Sequence, residues 1–519
     1  MWAHRHRLSA LACGLVLGSA LLWGWLPWAG AAAPSDAGQS SPATEAASAT
    51  DVLSIGTCAA SERASGVLRF SLAHFNDLHA RYSDRLLGHS RYAYLAGLLT
   101  QLKAQRPQTL VLDAGDDYEK GAITDLRSQG EATRRLLHAL PIDVRTIGNH
   151  DFAYGEEALL RDVRDSRAPV LAANLRHLRR AADDQPFLPS VQRQVGCVRV
   201  GIIGLVTEGY GADDRPSPEP YYQVLLVDSQ YAEVLRRQAG RLRPQVDVLI
   251  ALTHLGHRED LRLAEQLAEV DLLVGAHSKD LLRQPLAIAH PGGRRTWVLR
   301  AGHDGDSLGL GDVRVDLAAQ AVTFDSYKIV AINETLPVLP ALTEQVAAEE
   351  RRYAPDTHVA IASAHKAIRR AQMSALLFRA AQAMWQVDAL ILGHDVFFAG
   401  LPAGRLTLQQ LYEPVRVQRQ PSGTPGFSSL SLITVSGRQL AALQQQVRGD
   451  ADYGFHVARG RLRPDGQYRI AVEKRLLHDP SRLFTGSPVL PAAQHRGELI
   501  DLLEAYARAR SAAGQPLLD

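Results

Sequence analysis

Short apolar runs, each followed by polar residues, recur between residues 67 and 300 of this 519-residue chain. The runs are rich in β-branched residues or leucine, and longer amphipathic stretches separate them. Strand–helix alternation at this spacing predicts an α/β layered domain over residues 67–330. We expect strands at residues 67–75, 109–112, 144–147, 170–173, 198–206, 246–252, 272–274 and 297–300, with closing strands within 312–327.

Five of these runs end in a carboxylate, an imidazole or a carboxamide. In open α/β sheets, ligands bind at the carboxyl ends of the strands, so these side chains are expected to meet there. A single histidine at a strand end is more often structural, but five such clusters at equivalent ends predict a functional site. Its members are Asp77, His79, Asp116, Asn149, His150, His254 and His277.

The residue types in this set indicate two divalent metal ions. Oxygen and imidazole ligands without thiolate suit Zn, Mn or a similar ion better than a structural cysteine site does. A carboxylate that bridges can hold two cations roughly 3.5–4 Å apart. Glycines at 115, 148 and 275 would let the backbone approach the site closely.

The N-terminus has the layout of a secretory signal. Arg5 and Arg7 precede an apolar run over residues 8–28, and small residues follow at 29–33. An uncleaved membrane anchor is the competing interpretation, because the run approaches spanning length. Pro27 and the small residues favour cleavage, which predicts a signal peptide at 1–33 and a periplasmic or secreted protein without stable membrane insertion.

Residues 34–66 are rich in Ala, Ser and Thr and are predicted to form a flexible leader. Two cysteines, Cys58 and Cys197, remain after the signal, and the sequence leaves open whether they pair. The net charge of +2 argues against nucleic acid as a partner, because binding it requires a basic stripe. A linker helix is predicted within 331–356, and a smaller α+β domain, helical over 365–385, within 357–519.

The polar motifs resemble, in chain order, those of the calcineurin-like metallophosphoesterases, and more narrowly those of the periplasmic 5′-nucleotidase and UDP-sugar hydrolase family. The resemblance covers residues 67–330 and continues more faintly through 357–500. It implies a four-layer α/β/β/α domain followed by a smaller α+β substrate-binding domain. The motifs are Asn76-Asp77-Leu78-His79, Gly115-Asp116, Gly148-Asn149-His150-Asp151, Thr253-His254-Leu255-Gly256 and Gly275-Ala276-His277-Ser278.

The resemblance also implies a role for each site residue. Asp77 and His79 would bind the first metal, Asp116 would bridge, and the second metal would be bound by Asn149, His254 and His277. His150 would meet the substrate, either stabilising charge on the phosphoryl group or protonating the leaving oxygen. The implied reaction is hydrolysis of a nucleotide-like phosphomonoester by a metal-bound hydroxide.

Three positions depart from the family pattern. Lys279 stands where a second His or Gln ligand normally completes the first metal site, which leaves occupancy of that site open; Asp280 and His303 are candidate replacement ligands. Ala153 stands where the carboxylate that orients the catalytic histidine usually lies. Residues 393–398 lack the arginine with which the family's C-terminal domain contacts phosphate.

Three hypotheses follow from these patterns. The first is a 5′-nucleotidase-type phosphoesterase that acts on a small nucleotide-like substrate. The second is a hydrolase of carrier-bound sulfur, such as a thiosulfonate on a carrier protein. Its basis is the segment Ala153-Tyr154-Gly155-Glu156, which is similar to one in a sister branch of sulfur-oxidation hydrolases, together with the missing phosphate-contacting arginine. The third, based on Lys279, is a degenerate member that binds a ligand without turnover.

Overall fold

The structure is a computed structural model that describes residues 54–207, 225–415, 417–419, 425–447, 453–458, 460–478 and 492–518. The predicted signal peptide, residues 1–33, lies outside the described residues, as does most of the predicted leader. No helix in these described ranges is long and apolar enough to cross a membrane.

Two β-sheets form the centre of the first domain. In spatial order, the larger sheet contains β1 (Ser54–Ile55), β9 (Ser190–Val195), β10 (Val198–Val206), β12 (Val248–His254), β13 (Leu272–Gly275), β15 (Arg295–Leu299) and β14 (Leu286–Ala289). The smaller contains β17 (Ala321–Ala331), β16 (Ser307–Asp316), β2 (Val67–Phe75), β5 (Thr109–Asp113), β6 (Val144–Thr146) and β7 (Val170–Leu171). A short hairpin pairs β3 (Arg85–Leu86) with β4 (His89–Ser90), and a separate two-stranded antiparallel sheet pairs β8 (Leu175–His177) with β11 (Leu225–Val227).

The two sheets pack face to face, and helices cover their outer faces. Leu72 and Leu112 of the smaller sheet share a buried core with Ile202 and Ile250 of the larger. The helices of this domain are α1 (Ala60–Ala64), α2 (Arg91–Gln105), α3 (Ile123–Arg127), α4 (Glu131–Leu137), α5 (Glu156–Asp165), α6 (Tyr231–Leu242), α7 (His257–Gln266) and α8 (Pro340–Tyr353). Helices α2 and α8 pack on the smaller sheet, and α6 and α7 on the larger. The predicted four-layer α/β/β/α order is therefore confirmed.

The C-terminal part of the chain contains a third sheet, which has five strands of mixed direction and helices on both faces. Its strands, in spatial order, are β24 (Tyr453–Val457), β19 (Ala389–Gly393), β25 (Gln467–Glu473), β23 (Ser429–Ser436) and β26 (Gln494–Glu498). Helices α9 (Arg370–Trp385) and α13 (Leu499–Ala512) share one core with this sheet, and α11 (Gly437–Gln446) shares the other. The remaining elements are β18 (Ala360–Ala364) with β20 (Gly404–Thr407), β21 (Val417–Arg419) with β22 (Pro425–Phe427), α10 (Leu408–Tyr412) and α12 (Lys474–His478).

The structure differs from the predicted leader and from one predicted helix. Residues 54–66 belong to the folded domain, because β1 pairs with β9 and a disulfide joins Cys58 to Cys197 across 139 residues. The helix predicted over 365–385 begins only at Arg370. Ile368, inside the predicted helix, instead forms a β-bridge with Leu401.

Candidate metal centre

Neighbouring parallel strands bring the predicted site residues to one edge of the two-sheet core. Asp77, Asp116 and Asn149 follow β2, β5 and β6, which are adjacent and parallel in the smaller sheet. His254 is the last residue of β12, and His277 follows its parallel neighbour β13 in the larger sheet. Because both sheets end at the same edge, side chains far apart in sequence converge there.

Two groups of side chains with suitable donor atoms share Asp116. The first group contains Asp77 and His79 with Asp116, and the second contains His254 and His277 with Asp116; within each group the donor atoms lie within 4.8 Å of one another. Asn149 adjoins the second group, since its Oδ1 is 2.9 Å from Nδ1 of His277. This sharing of one carboxylate is the arrangement that a bridged pair of cations requires.

Three donor atoms of these groups are buried and have no partner in hydrogen-bond geometry: His79 Nε2, His254 Nε2 and Asp77 Oδ1. An unsatisfied buried polar atom normally costs about 1–3 kcal/mol, so three of them in one place indicate a site that a ligand completes. The Nδ1–H of His254 donates to the Ala114 carbonyl at 2.7 Å, which leaves Nε2 for the site, 3.1 Å from Asp116 Oδ2. The donor set therefore fits divalent metal ions.

The backbone at the site is strained. Asp77, His79, Asp116 and His277 all have φ values between +47° and +80°, in the left-handed region that residues with side chains rarely adopt. Such conformations cost roughly 1–3 kcal/mol each and cluster at functional sites. The strain at four of the proposed ligands is thus an indication of function that is independent of their chemical type.

Glycine is required where the two site loops touch. A Cβ on Gly148 would lie 2.1 Å from Asp116 Oδ1 and 2.6 Å from His254 Nε2. Gly115 has φ +82°, and its added Cβ would lie 2.4 Å from the Gly148 nitrogen. The expected close approach of the backbone at these two positions is confirmed.

The two groups differ in their electrostatics. Burial lowers the pKa of His254, but the carboxylates of Asp116 and Asp77 outweigh that effect and raise it to about 9. Burial, together with the ammonium groups of Lys120 and Lys279, lowers the pKa of His79 to about 3. The second group therefore has the more favourable field for a cation.

His150 lies beside the shared carboxylate. Its backbone N–H donates to Asp116 Oδ1 at 2.7 Å, and its ring packs edge-on against His79 with centroids 5.0 Å apart. Nδ1 of His150 is 2.5 Å from Oε2 of Glu119, a residue that the sequence motifs did not identify. Glu119 follows no strand directly, so its position was not signalled by the strand-end pattern that marked the other residues.

Lys279, which replaces a metal ligand of the family, and the two candidate replacement ligands, Asp280 and His303, have the following contacts. Lys279 has φ +62° and stays close enough for its charge to act on His79. Asp280 does not join either group: it accepts from Ser278 Oγ at 2.6 Å and is solvent-exposed. His303 pairs with Asp304 instead, with 3.0 Å between Nδ1 and Oδ2.

In the C-terminal domain, residues 393–398 run from the end of β19. Phe397 is buried in the core shared with α9, whereas Phe398 is 43% exposed. The guanidinium of Arg370 donates to the carbonyls of Phe397 and His394, at 2.6 and 3.3 Å. An arginine is therefore present beside this segment, although not within it.

Comparison with known proteins identifies the class of the first domain. Residues 70–280 match the family model of the calcineurin-like phosphoesterases. The chain therefore carries a calcineurin-like phosphoesterase domain, as its motifs predicted.

The curated proteins that the chain resembles include 5′-nucleotidases and apyrases. Over 285 residues the chain is 30% identical to the snake venom 5′-nucleotidase of Gloydius brevicauda, a match that covers 50% of this chain and 47% of that protein. The chain thus spans about half the length of the curated relatives it matches.

Two solved structures, both from Thermus thermophilus, share the fold over most of this chain. The 5′-nucleotidase precursor is 22% identical with a TM-score of 0.64, covering 85% of this chain and 96% of its own. The sulfate thiohydrolase SoxB is 17% identical with a TM-score of 0.61, covering 86% and 94%. At these identities the likeness concerns the fold.

Proposed function

We propose that this protein is a divalent-metal-dependent phosphoesterase that hydrolyses the phosphomonoester of 5′-nucleotides. The observation that carries the proposal is the pair of donor groups joined through Asp116. Relatives named as 5′-nucleotidases support the substrate class. Zn²⁺ or Mn²⁺ would suit the oxygen and imidazole donors.

In this proposal Asp77 and His79 hold the first ion, and Asn149, His254 and His277 hold the second, with Asp116 shared. Such ions would lower the pKa of a bound water and neutralise charge on the phosphoryl group. His150 is held over Asp116 by its own backbone N–H, which places its ring at the edge of the donor groups. From there it would contact the phosphoryl group or protonate the leaving oxygen.

The test is phosphate release from a panel of 5′-nucleotides by purified protein supplied with Mn²⁺ or Zn²⁺, with 3′-nucleotides as the matched control. We expect release from the 5′ series, loss of release after chelation, and two metal equivalents per chain by elemental analysis. His150→Ala should keep the metal and lose the activity. No release from any nucleotide, with the metals bound, would refute the nucleotidase proposal.

Two residues of the segment that suggested the sulfur hypothesis have partners within the domain. The Tyr154 hydroxyl donates to Asp125 at 2.6 Å, and Glu156 is 2.8 Å from Nε2 of His177. These contacts give both side chains a structural role. Hydrolysis of a carrier-bound thiosulfonate without phosphate release would nevertheless favour this second hypothesis over the first.

We also propose that the protein is exported, to the periplasm or outside the cell. The support is the signal-like N-terminus together with the Cys58–Cys197 disulfide, because such bonds persist in oxidising compartments. Mass spectrometry of the protein from a fractionated bacterial host should find a mature N-terminus near residue 34 in the exported fraction. An intact N-terminus in the cytoplasmic fraction would contradict export.

A further inference from the structure

The imidazole of His150 is paired with the carboxylate of Glu119. Nδ1 and Oε2 are 2.5 Å apart, and the Glu119 and His150 side chains are 2% and 15% exposed. A carboxylate at one ring nitrogen fixes the tautomer and the ring orientation, and directs the other nitrogen elsewhere. The hydrogen bond to Asp116 holds the backbone of His150 in place. The side chain can still rotate about its own bonds, and the contact with Glu119 restrains that rotation.

Two other residues that could have oriented the His150 ring, at positions 153 and 151, form no hydrogen bond with it. Ala153, at the position where a carboxylate was expected from the family pattern, is fully buried and offers no acceptor in its side chain. Asp151 uses Oδ2 to accept from the backbone nitrogens of Gly148 and Asp116, at 2.6 and 2.8 Å. Asp151 therefore ties two site loops together, and Glu119 is the carboxylate at the ring.

Glu119 is itself held in place by a buried network. Its backbone is left-handed, with φ +67°, and its N–H donates to Asp125 Oδ2 at 2.9 Å. Asp125 in turn accepts from the hydroxyls of Tyr154 and Thr133. Tyr154, one of the residues behind the sulfur hypothesis, thus supports the residue that contacts His150.

We propose that Glu119 is the positioning residue for His150, and that its carboxylate replaces the one missing at Ala153. The assignment rests on the proposed function, because it gives His150 its place in phosphoester hydrolysis. It deepens that proposal by naming a side chain from a different loop, 31 residues away in sequence. Glu119 acts through His150 and needs no contact with the substrate.

The test compares Glu119→Gln and Glu119→Ala with wild type, using the metal-loaded full-length protein and a 5′-nucleotide. We expect kcat to fall about 10- to 100-fold in both variants, as is typical for loss of a residue that orients a functional imidazole, with KM and metal content nearly unchanged. Glu156→Gln is the matched control, because it removes the carboxylate from the His177 pair in the same domain. Its kcat should stay within about twofold of wild type.

A second readout does not depend on turnover. In protein labelled with ¹⁵N-histidine, the His150 Nδ1 proton, assigned by its absence in His150→Ala, should be visible far downfield in wild type and lost in Glu119→Ala. Unchanged kcat together with an unchanged His150 signal would overturn the proposal. If wild type releases no phosphate from any substrate, the nucleotidase proposal fails, and the His150 signal alone decides whether Glu119 positions the ring.

Discussion

The two donor groups of the site share one carboxylate but have different surroundings. Asp116 lies with His254, His277 and nearby Asn149 in the second group, where neighbouring carboxylates raise the pKa of His254 to about 9 despite its burial. The first group has Asp77 and His79, and there burial and two lysines lower the pKa of His79 to about 3. From this difference in surroundings we expect the second group to bind a divalent cation more tightly than the first.

Removing the shared carboxylate should have the largest effect. Asp116→Asn keeps the shape of the side chain but removes the charge that both groups use, so we expect loss of both ions and a fall in kcat/KM of roughly a thousandfold or more. Elemental analysis and nucleotide hydrolysis measure the two effects. Retention of one full metal equivalent would show that one group assembles without its bridge.

Substitution of one histidine in each group tests the proposed asymmetry. His254→Ala should release the tighter ion and lower kcat/KM by roughly a hundredfold or more, whereas His79→Ala should cost about tenfold. Both side chains are fully buried, so the pair is matched for the cavity that each change creates. Titration with Mn²⁺ after chelation measures the affinities. Equal losses in the two variants would contradict the comparison.

The strand-end pattern explains why most of this site could be predicted from the sequence. Strands β2 and β10 have their predicted bounds, and a polar residue after a buried parallel strand must lie at the sheet's carboxyl edge. Glu119 was missed because it lies in a left-handed turn and contacts His150, which is 31 residues away in sequence. No local sequence pattern indicates such a contact. The start of α9 was misplaced because Ile368 pairs with Leu401, and helical periodicity does not reveal such a bridge.

Substitutions of Lys279 test whether its positive charge or the missing ligand weakens metal binding by the first group. Lys279→His supplies an imidazole and removes the ammonium, so we expect first-site affinity for Mn²⁺ to rise by about tenfold or more. Lys279→Met removes the charge without supplying a comparable ligand and should give the smaller part of that gain. Calorimetric titration of metal-free protein measures both. Unchanged binding in both variants would show that Lys279 does not limit the site.

Substitution of Gln409, in the C-terminal domain, should have the smallest effect on activity. Its side chain forms hydrogen bonds with the loop that carries Glu119. Its side chain donates to the Gly121 carbonyl at 2.7 Å and accepts from the Ile123 N–H at 3.1 Å. Gln409→Ala loses two hydrogen bonds of about 1 kcal/mol each and should lower kcat by a few-fold, with metal content unchanged.

Arg127→Met is the control for Gln409→Ala. It breaks an exposed ion pair between Arg127, near the same loop, and Asp356, in the segment after α8. Exposed pairs contribute only about 0–1 kcal/mol, so its kcat should match wild type. A fall in kcat confined to Gln409→Ala would show that the C-terminal domain stabilises the Glu119 loop and, through it, the side of the site where His150 and the first group lie. Equal kcat in both variants and wild type would mean that the first domain alone holds that loop in place.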